Sequence, residues 1–199
     1  MSETNVTEIR QRRPARERLL EAATRLFYAD GATATGVDTI TAEAGVSKKS
    51  LYNNFSSKAD LIRTYLDARH KEWLGLYRAR LEHADDPRQG VLAVFDTYAH
   101  HAAFTHEHGF RGCGLLNAAA ELPADHEGRA LVRAHKEEVE RLIAGHLEQL
   151  LPDRPGQART TAEHLTFLLE GAMARAGLEG DGKRVHHARA MAAALLEGL

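Results

Sequence analysis

The sequence predicts an all-α fold of about nine helices, in which an N-terminal three-helix head is joined by a long helix to a larger helical body. Three observations carry this. Apolar residues recur three and four positions apart through most of the chain, the spacing that builds one apolar face on a helix. No run alternates apolar and polar residues long enough to make a strand. Between Thr35 and Asp60, TGVDTITAEAGVSKKSLYNNFSSKAD compresses two short helices around a glycine turn and opens a third, the pattern of a helix-turn-helix.

The elements follow in order. Residues 1–14 are polar and basic and are expected to form an arm. A first helix is expected from Ala15 to Asp30, with Leu19, Ala23, Leu26 and Phe27 inward. Thr35 and Asp38 match the Thr-x-x-acid capping pattern that opens the next helix, and Val37, Ile40 and Ala44 then fall at helical spacing. Gly45 ends it, because glycine tolerates the left-handed conformation required there. Val46 plugs the turn, and Ser47 caps a helix running through Leu51 to about Phe55. Leu51 and Phe55 lie one helical repeat apart and point inward. That directs Lys48, Lys49, Ser50, Tyr52 and Asn53 outward, and donors, a phenol and an amide are the groups that suit phosphates and base edges. Ser57 and Asp60 form a second capping box and open a long helix that carries Leu61, Tyr65, Leu66, Trp73, Leu74 and Tyr77 to about Leu81. The head is placed at residues 15–62 and the body at 63–199, so the boundary falls inside this helix.

In the body, His83–Pro87 breaks the long helix, and another follows from about Pro87 to His106. Gly109, Gly112 and Gly114 punctuate a turn into a short helix that reaches Leu122 before Pro123. A long helix is expected from Ala124 to Leu150, then a loop at Pro152–Gly156. The last two helices carry apolar stripes. Leu165, Leu168, Leu169, Ala172, Met173 and Ala176 lie on one, Val185, Ala188, Ala192, Leu195 and Leu196 on the other, with a turn at Gly177–Gly182 between them. Such small residues allow helices to approach closely.

AGVSKKSLYNNFSSKADL resembles the signature of the TetR family of transcriptional regulators. The matching positions are Ala44, Gly45, Val46, Ser47, Leu51, Tyr52, Phe55, Ser57, Lys58 and Asp60. Arg18, Leu19, Ala22, Ala23, Leu26, Phe27 and Gly31 extend the match upstream, so the likeness covers about the first third of the chain. Thr41 departs from it, since the family usually has alanine there. The resemblance implies a cytoplasmic regulator with a ligand-binding and dimerisation body, in which the last two helices of each subunit form a four-helix interface. A purely internal core is the other reading of those stripes. A homodimer would match a palindromic double-stranded DNA operator.

Composition agrees. A chain of 199 residues with 43% hydrophobic and 27% charged residues is ordinary for a globular protein. Its formal net charge of −2 excludes a general nucleic-acid coater, but Arg10, Arg12, Arg13, Arg16 and Arg18 supply a local basic patch. No apolar run approaches the ~20 residues of a membrane span. One cysteine excludes an internal disulfide framework. No cofactor, metal or catalytic set is expected. All 12 histidines lie at or after His70. His100, His101, His106 and His108 are the densest group, but no zinc-type Cys/His spacing accompanies them, and solvated or pocket-lining roles suit them better.

The effector site is expected in the body. Asn117 and Glu121 are four apart on one helix face, either as pocket residues or as a satisfied buried pair. His135 is a third candidate. Cys113 lies near a helix N-terminus with Arg111 close by, as a reactive thiol or a small buried hydrophobe. The resulting reading is a ligand-responsive regulator, most simply a repressor released by a small molecule. Lys48, Lys49, Ser50, Tyr52 and Asn53 read the operator, Ser47 opens their helix and is counted with them in the DNA-binding set, and Thr35, Lys58 and the N-terminal arginines meet phosphates. The alternatives are a redox- or electrophile-sensing regulator acting through Cys113 and, more remotely, a helical enzyme or an interaction protein that does not bind DNA.

Overall fold

The computed structural model describes residues 14–103 and 109–199. The basic arm, with Arg10, Arg12 and Arg13, and the pair His106 and His108 lie outside the described residues. Among the described residues there are nine helices and no strand: α1 Ala15–Ala29, α2 Val37–Ala44, α3 Lys48–Asn54, α4 Lys58–Leu81, α5 Pro87–Ala103, α6 Gly114–Ala120, α7 Glu127–Leu150, α8 Pro155–Glu179 and α9 Lys183–Glu197. They fall into two compact units. One comprises Met1–Arg69 with Leu115–Leu131, the other His70–Gly114 with Val132–Leu199. The division lies within α4, between Arg69 and His70, and the first unit also takes in a segment that no local pattern announces.

The first unit is built on α1. Its Leu19, Ala22, Ala23 and Phe27 are buried, and Ile40, Ala44, Leu51, Phe55, Leu61 and Tyr65 complete the core. Phe27 and Tyr65 meet edge to face with ring centroids 5.4 Å apart. Thr41 is buried, and its hydroxyl donates to the Asp38 carbonyl at 3.0 Å, which accommodates a polar atom where alanine is usual. The Thr35–Asp38 capping box does not form. The N-cap of α2 is Gly36, which has no side chain, and Thr35 is turned inward, donating to the Gly31 carbonyl at 2.6 Å. One residue of frame shift therefore separates the sequence pattern from the cap. The second box forms in altered register: Ser57 Oγ accepts from the Asp60 N–H at 3.1 Å, while Asp60 Oδ2 accepts from the Ser56 N–H at 3.0 Å.

In the same unit, α6 stops at Ala120, short of the predicted Leu122. The Arg129 guanidinium donates to the Ala119 carbonyl at 3.1 Å and the Leu122 carbonyl at 3.5 Å, satisfying groups that a helix end leaves open. Residues 123–126 make a turn, so α7 begins at Glu127 and not at Ala124.

The core of the second unit joins Trp73, Tyr77, Val94, Phe95, Tyr98, Val139, Ile143, Leu147, Leu165, Leu169, Met173, Val185 and Leu196, among others. Gly90 is required here, since a Cβ would come within 2.3–2.6 Å of the His146 ring. Asp96 and Arg189 make a two-pronged pair at 2.6 and 3.0 Å between α5 and α9. Gly177 does not end α8, as predicted. The helix runs through it to Glu179, and a Cβ would meet the Gly112 nitrogen at 2.8 Å and the Arg111 carbonyl carbon at 2.9 Å.

The two C-terminal stripes mostly face inward. Leu165, Leu169, Met173, Ala176, Val185, Ala188, Ala192 and Leu196 are buried within the single chain. The outward apolar residues are others: Phe167 is 69% exposed, Leu178 86% and Met191 50%, with Leu195 the one predicted interface residue that is exposed, at 38%. Helices with apolar residues on more than one face give no periodic signal for which face turns in.

Candidate nucleic-acid interface and a buried polar cluster

The turn between α2 and α3 fixes how α3 is presented. Gly45 takes the left-handed conformation at φ 61°, and the Val46 N–H closes on the Thr41 carbonyl at 3.0 Å. Ser47 then caps α3, its hydroxyl oxygen accepting from the Ser50 N–H at 3.1 Å. Arg18 from α1 donates to the Gly45 carbonyl at 3.3 Å, and the Arg16 guanidinium lies 5.1 Å over the Phe55 ring. Leu51 and Phe55 are buried, so Ser47, Lys48, Lys49, Tyr52 and Asn53 are exposed and Ser50 is half-buried. One short helix thus presents two ammonium groups, a phenol, an amide and hydroxyls on its open side. Lys48 is paired with Asp38 of α2 at 3.0 Å, and the hydrogen bond with that carboxylate holds the ammonium above its ordinary pKa.

Two of the predicted phosphate contacts, Thr35 and Lys58, are placed differently. Thr35 is buried, with its hydroxyl engaged by Gly31. Lys58 is half-buried, and its Nζ donates to the Thr33 carbonyl at 2.8 Å. Burial lowers the Lys58 pKa, opposed by the charge of Glu121.

The four predicted effector residues divide between the two units. Asn117 and Glu121 belong to the first unit, Cys113 and His135 to the second. Asn117 is half-buried. Glu121 is exposed, and its Oε2 accepts from the Thr33 N–H at 2.6 Å. Cys113 and His135, by contrast, belong to one polar chain inside the second unit. His135 Nδ1 is 3.0 Å from His70 Nδ1, and its Nε2 is 3.4 Å from the Tyr98 hydroxyl. Lys136 donates to that hydroxyl at 3.1 Å, to Glu170 at 2.7 Å and to Cys113 Sγ at 3.6 Å. The Trp73 ring packs edge-on to His135 at 5.4 Å. Three buried atoms of this unit, Trp73 Nε1, Thr166 Oγ1 and Glu170 Oε2, have no hydrogen-bond partner among the described residues.

Sequence reasoning did not find Lys136, Tyr98, Trp73 or Glu170. Lys136 lies in a run of charged residues that reads as a solvated face. Glu170 carried a signal, as a lone carboxylate within the apolar stretch Leu168–Met173. Burial works against the Lys136 charge, yet Cys113, Tyr98 and Glu170 together hold its pKa well above the ordinary value. Burial and then the Lys136 charge push His135 down to about 3. Among the described residues no group of three or more His, Cys, Asp or Glu could hold a metal ion, and no helix is long and apolar enough to cross a membrane.

These features define an all-helical protein with an N-terminal helix-turn-helix of the kind that transcriptional regulators carry. Residues 19–65 match the family model described as bacterial regulatory proteins, tetR family. A solved TetR-family transcriptional regulator from Streptomyces coelicolor is 34% identical and superposes with a TM-score of 0.81, covering 92% of this chain and 93% of that one. The chain belongs to the TetR family of transcriptional regulators. It is also 31% identical over 124 residues to the HTH-type transcriptional regulator LmrA of Bacillus subtilis, covering 62% of this chain and 66% of LmrA. To the HTH-type transcriptional regulator TtgR of Pseudomonas putida it is 36% identical over 86 residues, 41% of each chain. The matches to these two curated relatives thus stop short of two thirds of their length.

A depressed histidine pKa has a consequence for stability. Between about 6.5, the ordinary value, and about 3, the unfolded chain binds a proton at His135 that the folded chain refuses. The stability is full above the ordinary value and is lost as pH falls through this window, at ~1.4 kcal/mol per pH unit. Urea unfolding at pH 7.5 and 5.5 is expected to show wild type losing about 1 kcal/mol more than His135→Gln. Equal losses in the two proteins would mean that His135 is not held neutral.

Proposed function

We propose that the protein is a ligand-responsive repressor that binds a palindromic DNA operator as a homodimer. The observation that carries the DNA reading is the open face of α3, with Lys48, Lys49, Ser50, Tyr52 and Asn53 on a helix whose other side is locked into the head. Lys49, Ser50, Tyr52 and Asn53 are the groups for base edges and adjacent phosphates, and Lys48 reaches phosphate once released from Asp38. Lys58 keeps donors to spare for phosphate beyond its bond to Thr33. Thr35, with its hydroxyl turned inward, is left out of the contact set.

The test is selection of duplexes from a random-sequence pool, followed by binding measurements on the winners. The expected site is a palindrome. Lys49→Ala or Asn53→Ala is expected to relax preference at particular base pairs, at about 1–3 kcal/mol per lost contact. Retention of wild-type affinity and preference in both variants would contradict the assignment.

Dimerisation is supported by the outward residues of α8 and α9. Phe167, Leu178, Met191 and Leu195 expose apolar area that a partner would cover, with Gly171, Ala174, Ala190 and Ala194 leaving room for close approach. Phe167→Glu is expected to give a folded monomer in light scattering with a weakened hold on the palindrome, whereas Leu169→Glu, inside the chain's own core, is expected to unfold it. A Phe167→Glu protein that remains a dimer would place the interface elsewhere.

A small-molecule effector is supported by the polar chain in the body. Buried groups without partners carry a free-energy cost of about 1–3 kcal/mol each, and a ligand that engages Trp73 Nε1 or Thr166 Oγ1 recovers part of it. His135 and Cys113 are the predicted effector residues that belong there. A second reading, a thiol-responsive regulator, is favoured by the Lys136 ammonium 3.6 Å from Cys113 Sγ. If the thiol is the sensor, iodoacetamide releases wild-type protein from its operator and leaves Cys113→Ser bound. Release of both would exclude the thiol, because the chain has no other cysteine.

A further inference from the structure

Both backbone polar groups of Thr33 are held. Glu121 Oε2 accepts its N–H at 2.6 Å, and Lys58 Nζ donates to its carbonyl at 2.8 Å. The Thr33 hydroxyl also reaches the Glu121 carbonyl at 3.5 Å. Glu121 is 88 residues away in sequence, one position beyond the end of α6. Its own backbone is braced by Arg129, which holds the carbonyls of Ala119 and Leu122 on either side. Thr33 lies in the loop that joins α1 to α2. Two residues before it, Gly31 stands at φ 97°, and a Cβ there would lie 2.7 Å from Glu121 Oε1. The carboxylate can enter only because that position has no side chain. The Gly31 carbonyl accepts the Thr35 hydroxyl, and Thr35 is followed directly by Gly36, the N-cap of α2.

We propose that Glu121 is a positioning residue for DNA binding, which sets the α1–α2 loop through the Thr33 backbone N–H and thereby fixes where α2 starts and α3 is carried. This rests on the DNA-binding reading above. An ionised acceptor on a backbone N–H makes one of the stronger hydrogen bonds available to a loop. Lys58 holds the carbonyl of the same residue, in the next peptide group, and its ammonium and the Glu121 carboxylate attract one another. The helix-turn-helix is therefore completed by a residue outside the stretch that encodes it.

Two variants isolate the effect. Glu121→Gln and Glu121→Ala both remove the negative charge beside Lys58, so any gain in phosphate attraction is common to them. Only glutamine retains an oxygen that can accept the Thr33 N–H. Affinity is read on a duplex selected from a random pool by the wild-type protein, and Thr33 amide exchange is followed by NMR. Glu121→Ala is expected to bind about fivefold more weakly than Glu121→Gln, with Thr33 exchanging freely in the alanine variant and protected in the glutamine variant. Equal affinities of the two variants overturn the proposal, as does unchanged Thr33 protection in Glu121→Ala. A lower melting temperature with unchanged affinity of the folded alanine variant also overturns it, since that describes a structural contact only. If wild type selects no DNA at all, the DNA-binding reading fails instead, and Thr33 exchange still decides whether Glu121 holds the loop.

Discussion

The direction in which α3 leaves the turn depends on one backbone conformation, the left-handed residue at Gly45. A side chain there costs roughly 1 kcal/mol or more, so the chain supplies glycine where α2 must stop abruptly. The Val46 N–H closing on Thr41 and the Arg18 guanidinium on the Gly45 carbonyl hold the reversal in place. Ser47 restarts the chain as a helix two residues later. Leu51 and Phe55 then pin one side of α3 to the core, which leaves its polar residues no direction but outward. The proposed reading of bases is a consequence of that local geometry.

The same head depends on chain that arrives much later. Segment Leu115–Leu131 packs as part of the first unit, with Leu115, Ala118, Ala119 and Leu122 buried there and Glu121 reaching Thr33. The segment is continuous in the chain with Gly114 and Val132 of the second unit. The second unit has a different character. Lys136 and Glu170 are paired, both half-buried, among aromatic and sulfur groups, so that removing either leaves the other's charge without its partner. Such a chain of polar groups is costly where a member lacks a partner, and Glu170 Oε2 within it and Trp73 Nε1 beside it are buried without one among the described residues.

What was legible in the sequence was local. Gly45, Ser47, Leu51, Phe55 and the Ser57–Asp60 cap are separated by a few residues, and their chemistry reports directly on turns, caps and buried faces. Helix existence was legible for the same reason. At Thr35 the spacing to Asp38 fits a capping box, but a glycine one position later takes the cap and the hydroxyl turns inward. The role of Glu121 was not legible, because its partner is a backbone N–H 88 residues away and a backbone group leaves no mark in sequence. Its spacing from Asn117 suggested a shared pocket face, yet α6 ends before Glu121 and the carboxylate reaches the head loop. The faces of α8 and α9 were ambiguous for a different reason. Both sides carry apolar or small residues, so the periodicity alone did not separate Leu169, which is internal, from Phe167, which is exposed.

The central claim is that α3 is the surface that meets DNA. It is tested most directly by heteronuclear NMR of the full chain titrated with a duplex that it has itself selected. The account predicts that the largest amide shifts fall on Ser47–Asn53 and the adjoining turn, with the buried residues of α5, α8 and α9 little changed. Shifts concentrated elsewhere, with α3 unperturbed at saturation, would contradict it.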